Sequence, residues 1–117
     1  MANYQQIKVA DDGNITHVRF VSNKIIDAEP IQKMGEELLA LLEKEQKKNL
    51  LLDFDHVAFL SSAALGKLIK LNNRVREAKG KLRLAAIRPE IYEVFRITKL
   101  DEQFSIHDSV EDARAAF

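Results

Sequence analysis

Cysteine is absent from the sequence, and with it go thiolate catalysis, cysteine-type zinc sites, thiol redox switching and any sign of an oxidising compartment. Net charge is absent as well. Eighteen basic residues are cancelled by eighteen acidic ones, which removes the long-range attraction behind sequence-independent binding to nucleic acid or to an anionic membrane. No apolar run reaches membrane-spanning length, and Met1 to Ile7 lack the basic-then-apolar order of a secretion signal. These absences predict a cytoplasmic protein that meets neither nucleic acid nor membrane directly. The nearest thing to a basic patch, Lys44 through Lys48, is interrupted by Glu45 and Gln46. It is expected at a helix end, where lysine suits the helix dipole.

Linkers, repeats and low-complexity stretches are lacking too, so residues 1–117 are expected to form one domain. The composition, 46% hydrophobic and 31% charged, is that of an ordinary globular chain. Such a length buries about two thirds of its unfolded surface with no need of a disulfide or a metal.

Tyr4 to Val9 and Ile15 to Val21 predict two strands joined at Asp11-Asp12-Gly13-Asn14, an antiparallel opening. Asp27 offers a capping oxygen, Pro30 fits a first turn, and Ile31, Met34, Leu38, Leu41 and Leu42 recur on one face of a first helix. Within Asn49 to Phe54, Leu50-Leu51-Leu52 is apolar on both faces, as befits the central strand of a covered sheet. Leu65, Leu68, Ile69 and Val75 then fall at helical spacing until Lys79-Gly80 stops the helix. Leu82 to Ile87 is the next strand, and Pro89 opens a third helix whose stripe is Ile91, Val94 and Phe95. A short strand at Phe104 to Ile106 and a last helix from about Ser109, with Val110, Ala113 and Phe117 on one face, complete the pattern. The fold class is therefore α/β: a mostly parallel mixed sheet with an antiparallel N-terminal strand pair and about four helices. Gly35 and Gly66 fall inside predicted helices, where each costs about 1 kcal/mol relative to alanine. Such a cost points to close packing or to close approach by a partner.

Catalytic patterns find little support. His17 falls in a strand, His56 in the loop after the central strand and His107 after the last strand, with no metal-ligand spacing and no obvious partner. His56 beside Asp53 and Asp55 would be a base held by a carboxylate, although loop carboxylates commonly serve turns. A glycine-rich phosphate loop and a nucleophile elbow are both missing. A phosphoacceptor receiver domain needs an acidic pair at the end of a strand that leads into a helix, but Asp11-Asp12 leads into another strand. Lys99 follows a helical stripe instead of ending a strand. No catalytic residue, metal or cofactor is expected.

The segment Phe59-Leu60-Ser61-Ser62-Ala63-Ala64-Leu65-Gly66 sets two hydroxyls where a loop enters a helix. By local chemistry that is a cap, because a serine oxygen accepts a free backbone N–H of the first turn. Together with the order of elements, however, this octapeptide resembles the STAS domain family, in particular the bacterial anti-sigma factor antagonists. Nearly the whole chain takes part: the antiparallel opening, Asp27 at the first helix, Leu50-Leu51-Leu52-Asp53-Phe54, Phe59-Leu60, Arg88-Pro89-Glu90-Ile91, Val94-Phe95 and Thr98-Lys99-Leu100.

The resemblance implies a partner switch. In that family the segment commonly reads Asp-Ser-Ser/Thr-Gly-Leu/Met-Gly, and its first hydroxyl is phosphorylated by an anti-sigma factor that doubles as a serine kinase. That acceptor falls on Ser62, with Ser61 as the alternative. Ser61, Ala63 and Ala64 depart from the family's Asp, hydroxyl and glycine, whereas Leu65 and Gly66 keep the pattern. The unmodified protein would then bind its partner through Asn23, Lys24, Asp27, Ser61, Ser62, Ala63, Ala64, Leu65 and Gly66. Phosphorylation would release it, and a serine phosphatase would reset the cycle. The chain is expected to be a monomer on its own. The alternative is a STAS scaffold or ligand-binding module with no phosphorylation cycle, in which both serines serve as caps.

Overall fold

Two strands, Ile7–Asp12 (β1) and Ile15–Phe20 (β2), form the expected antiparallel hairpin around Gly13 and Asn14 in the computed structural model, which describes residues 4–117. The start of the Met1 to Ile7 segment lies outside the described residues. β1 is shifted towards the turn relative to its expected span, because Asp11 and Asp12 stay in the ladder; Asp11 accepts the Thr16 hydroxyl at 2.9 Å. The chain continues through a two-residue strand, Lys24–Ile25 (β3), into helix Ala28–Glu43 (α1). Then follow strand Asn49–Asp53 (β4), the two-residue Phe59–Leu60 (β5), helix Ser62–Glu77 (α2), strand Lys81–Ala85 (β6) and helix Pro89–Ile97 (α3). A 3₁₀ turn at Leu100–Glu102, strand Ser105–His107 (β7) and helix Val110–Ala116 (α4) come last.

The main sheet has the order β1-β2-β4-β6-β7 and is parallel except between β1 and β2, while β3 and β5 form a separate parallel ladder. Successive strand residues face opposite sides, and that alternation splits the three leucines of β4 between two cores. Leu50 and Leu52 join Val18, Phe20, Leu82 and Leu84 beneath the apolar faces of α1, α2 and α3. Leu51 and Ala85 pack instead on Ala113 of α4, on the opposite side. A sheet covered on both sides is what an uninterrupted apolar strand requires.

All five apolar residues expected on the inner face of α1 are buried. Glu37 shares that face, and its two carboxylate oxygens accept the backbone N–H groups of Gln5 and Gln6 at 2.8 and 2.9 Å. Burial of the charge is tolerable because both oxygens are satisfied. The lysine run begins at the end of α1 as expected, with Lys44 as the C-cap, but the chain then turns away: Gln46 takes a left-handed φ of 57° and Lys47 pairs with Asp11 at 3.4 Å. At the end of α2 the left-handed residue is Lys79 rather than Gly80. Gly80 answers a different need, since a Cβ there would lie 2.4 Å from the Lys48 carbonyl oxygen. That oxygen accepts the Lys81 N–H at 2.7 Å where β4 and β6 begin to pair.

Candidate functional site

The β3–β5 ladder brings two distant stretches of chain together. Asn23 C=O accepts the N–H groups of Ala58 and Phe59 at 2.7 and 3.2 Å, and Ile25 C=O accepts that of Ser61 at 3.0 Å. α1 begins just beyond Ile25 and α2 just beyond Ser61, so the two helix N-termini share one edge of the molecule. Asn23, Lys24, Asp27, Ser61 and Ser62 are thereby neighbours.

The two serines have different tasks. Ser61 is the N-cap of α2: its backbone is extended, its Oγ accepts the Ala64 N–H at 3.2 Å, and its carbonyl accepts the Leu65 N–H at 3.0 Å. Ser62 is the first helical residue, and its exposed hydroxyl makes no hydrogen bond among the described residues. Ala63 and Gly66 also face solvent, whereas Ala64 and Leu65 turn inward. Asp27 holds the N-cap position of α1 without capping it. Its backbone carbonyl accepts the Ile31 N–H at 3.1 Å, while the exposed carboxylate bonds no backbone donor of the helix. Among the described residues that carboxylate has no hydrogen-bond or ion-pair partner, and its backbone follows the strand that pairs with the one leading to Ser61.

The two helical glycines also differ. A Cβ on Gly35 would lie 2.8 Å from Cδ of Lys67, whose ammonium reaches across to Gln32 at 2.8 Å, so this glycine serves the packing of α2 on α1. A Cβ on Gly66 would meet nothing within 4 Å. Nothing inside the described domain accounts for it.

Beside the serine turn lies a cavity of about 430 Å³ between β5, the start of α2 and α3, lined by Phe59, Leu60, Leu65, Ile91 and Val94 with Arg88 and Glu90 at its polar margin. Val94, expected in the buried stripe of α3, is exposed, because Ile91 and Phe95 alone fill the inner face of this nine-residue helix.

Two of the three histidines, His17 and His107, have partners that their local sequence does not reveal. His17 Nε2 lies 2.9 Å from Asp53 Oδ2 and its Nδ1 3.1 Å from Arg114, which also pairs with Asp12. Asp53 is buried, takes the Asp55 N–H at 3.0 Å and has Arg19 at 3.6 Å. Its carboxylate is thus committed to tying β2, β4 and α4 together, and the suspected pairing with His56 does not form. His107 lies 3.4 Å from Arg83. Among the described residues no cluster of three or more metal-ligating side chains occurs, and no helix is long and apolar enough to cross a membrane.

The model of the STAS domain matches residues 6–113. A relative provisionally assigned as the anti-sigma factor antagonist BtrV, of Bordetella bronchiseptica, is 28% identical over 93 residues, spanning 80% of this chain and 79% of that protein. A solved structure from Thermotoga maritima, also provisionally assigned as an anti-sigma factor antagonist, has a TM-score of 0.83 at 16% identity and covers 94% of this chain and 92% of its own. The Bacillus cell fate determinant SpoIIAA in its phosphorylated form has a TM-score of 0.72 at 12% identity, covering 95% of this chain and 99% of its own. At these identities the two structures establish a shared fold.

Proposed function

The chain belongs to the STAS domain family, and from that premise we propose that it is an anti-sigma factor antagonist that works by partner switching. Unphosphorylated, it binds an anti-sigma factor through the turn at Ser61 to Gly66 together with Asn23, Lys24 and Asp27. Phosphorylation of Ser62 by that partner, acting as a serine kinase, ends the contact, and a serine phosphatase restores it. The name of the Bordetella relative and the phosphorylated form of SpoIIAA support this assignment.

One observation carries the choice of residue: Ser61 takes the capping role, which leaves the Ser62 hydroxyl exposed and unbonded at the start of α2. Serine and aspartate are both good N-caps, so Ser61 in place of the family's Asp keeps the cap. A phosphate adds about −1.5 to −2 charges. The positive end of α2 stabilises that charge within the domain, whereas a partner surface fitted against the turn must desolvate it. The fold survives while the interface fails.

The test is the affinity of purified variants for the anti-sigma factor, with phosphopeptide mass spectrometry on protein from native cells. Ser62→Asp and Ser62→Glu should bind more than tenfold more weakly, at about 1.4 kcal/mol per tenfold, with unchanged unfolding midpoints. Ser62→Ala should bind constitutively. Full affinity in the acidic variants would refute the switch, and an unmodified peptide across growth conditions would favour a scaffold role.

A further inference from the structure

We propose that the cavity beside the serine turn is a socket for a partner segment carrying one large apolar side chain next to a carboxylate; this rests on the partner-binding function proposed above. The apolar half of the inference comes from α3. Ile91 and Phe95 occupy its inner face, so Val94 is left on the wall of the cavity, 39% exposed. Phe59, on the opposite wall of the cavity, is 55% exposed. Large apolar side chains left in water around an open cavity of about 430 Å³ mark an interaction surface. They offer the kind of pocket in which a single anchor side chain dominates binding.

Charge gives the other half. Lys24, Asp27, Arg88 and Glu90 stand at the socket and the adjoining turn, and none forms an ion pair among the described residues. The two carboxylates are nevertheless well placed, Asp27 at the N-cap of α1 and Glu90 in the first turn of α3, each against a positive helix end. The two cations are not. Arg88 is the N-cap of α3 and so sits at the same positive end, while among the described residues the Lys24 ammonium has only the ring of Phe59, 5.6 Å away. Further along α3, Arg96 shows the ordinary arrangement: it bonds Glu93 and holds that carboxyl below the usual carboxylate range. The misfit at Arg88 is relieved by an acidic group arriving from outside at the mouth of an apolar cavity. A phosphate on Ser62 would then act twice, drawing on the two unpaired cations, Lys24 and Arg88, and repelling the partner's carboxylate.

The experiment is calorimetric titration of the purified full chain with the anti-sigma factor used for the Ser62 variants, now with Phe59→Ala, Val94→Ser and Arg88→Gln. Phe59→Ala and Val94→Ser should weaken binding about tenfold or more, as loss of an anchor contact does. Arg88→Gln should weaken it about fivefold, and that effect should shrink as salt rises from about 50 to about 500 mM and screens the rim. Unfolding midpoints should hold, since all three side chains are accessible to solvent. If Ser62→Asp loses binding while Phe59→Ala and Val94→Ser bind like wild type, the socket is refuted and the switch stands. If Ser62→Asp binds like wild type, or no anti-sigma factor binds, the switch falls and the socket with it.

Discussion

Replacing Gly66 by alanine puts one methyl group on the exposed side of the second turn of α2, where it meets nothing within 4 Å. Alanine is favoured over glycine in a helix interior by about 1 kcal/mol, chiefly because the unfolded chain loses freedom. No contact within the domain takes any of that back. Unfolding entropy for a chain of 117 residues, at about 2.1 cal/mol/K per residue, is about 0.25 kcal/mol/K, so the midpoint should rise by about 4 °C. Thermal unfolding followed by circular dichroism reads this directly. Gly35→Ala is the control: its methyl meets Lys67 at 2.8 Å, so displacement of that side chain offsets the helical gain. Binding should move the other way at Gly66, because a partner backbone that approaches a bare helix surface is pushed off by the methyl. A lowered midpoint would refute the claim that the space is open. A raised midpoint with undiminished affinity for the anti-sigma factor would refute the claim that the glycine is kept for a partner.

Ser61→Ala should cost about 1 kcal/mol by removing the cap of α2, seen as a midpoint lower by about 4 °C, and Ser61→Asp should recover it. Ser62→Ala should leave the midpoint unchanged. Gly80→Ala forces a methyl onto the Lys48 backbone carbonyl, which no rotamer change can move aside, and should cost about 1 to 3 kcal/mol or more, measured as a lower urea midpoint at constant slope.

The alternation of elements was legible because it rests on local regularities: Leu50-Leu51-Leu52 for a doubly covered strand, the spacing from Ile31 to Leu42 for α1, and Pro89 for the start of α3. What escaped depends on contacts across the chain. The β3–β5 ladder is two residues long in each strand, too short for any period to register. The partnership of His17 with Asp53 and Arg114 spans 36 and 97 positions, and only sheet order brings those residues together. Glu37 on an apolar helix face and Val94 off it break the periodic pattern, the first because backbone donors satisfy it and the second because α3 is narrow. Within the site, both serines were visible as a pair. Their division into cap and free hydroxyl needed the angles of one turn, and Phe59 gave no hint that its ring stays outside.

The short ladder between Lys24–Ile25 and Phe59–Leu60 has a practical consequence for anyone seeking the binding determinant in fragments. Under the proposed function the surface around Ser62 is an assembled epitope, half of it supplied by Asn23 to Asp27, at least 35 residues upstream in the chain, and held in place by a handful of backbone hydrogen bonds. A synthetic peptide copying Leu60 to Lys70 would carry every atom of the serine turn and none of Asn23, Lys24 or Asp27. Peptide arrays would therefore understate recognition, and an inhibitor that mimics this face has to reproduce two helix starts in fixed relation rather than one linear motif.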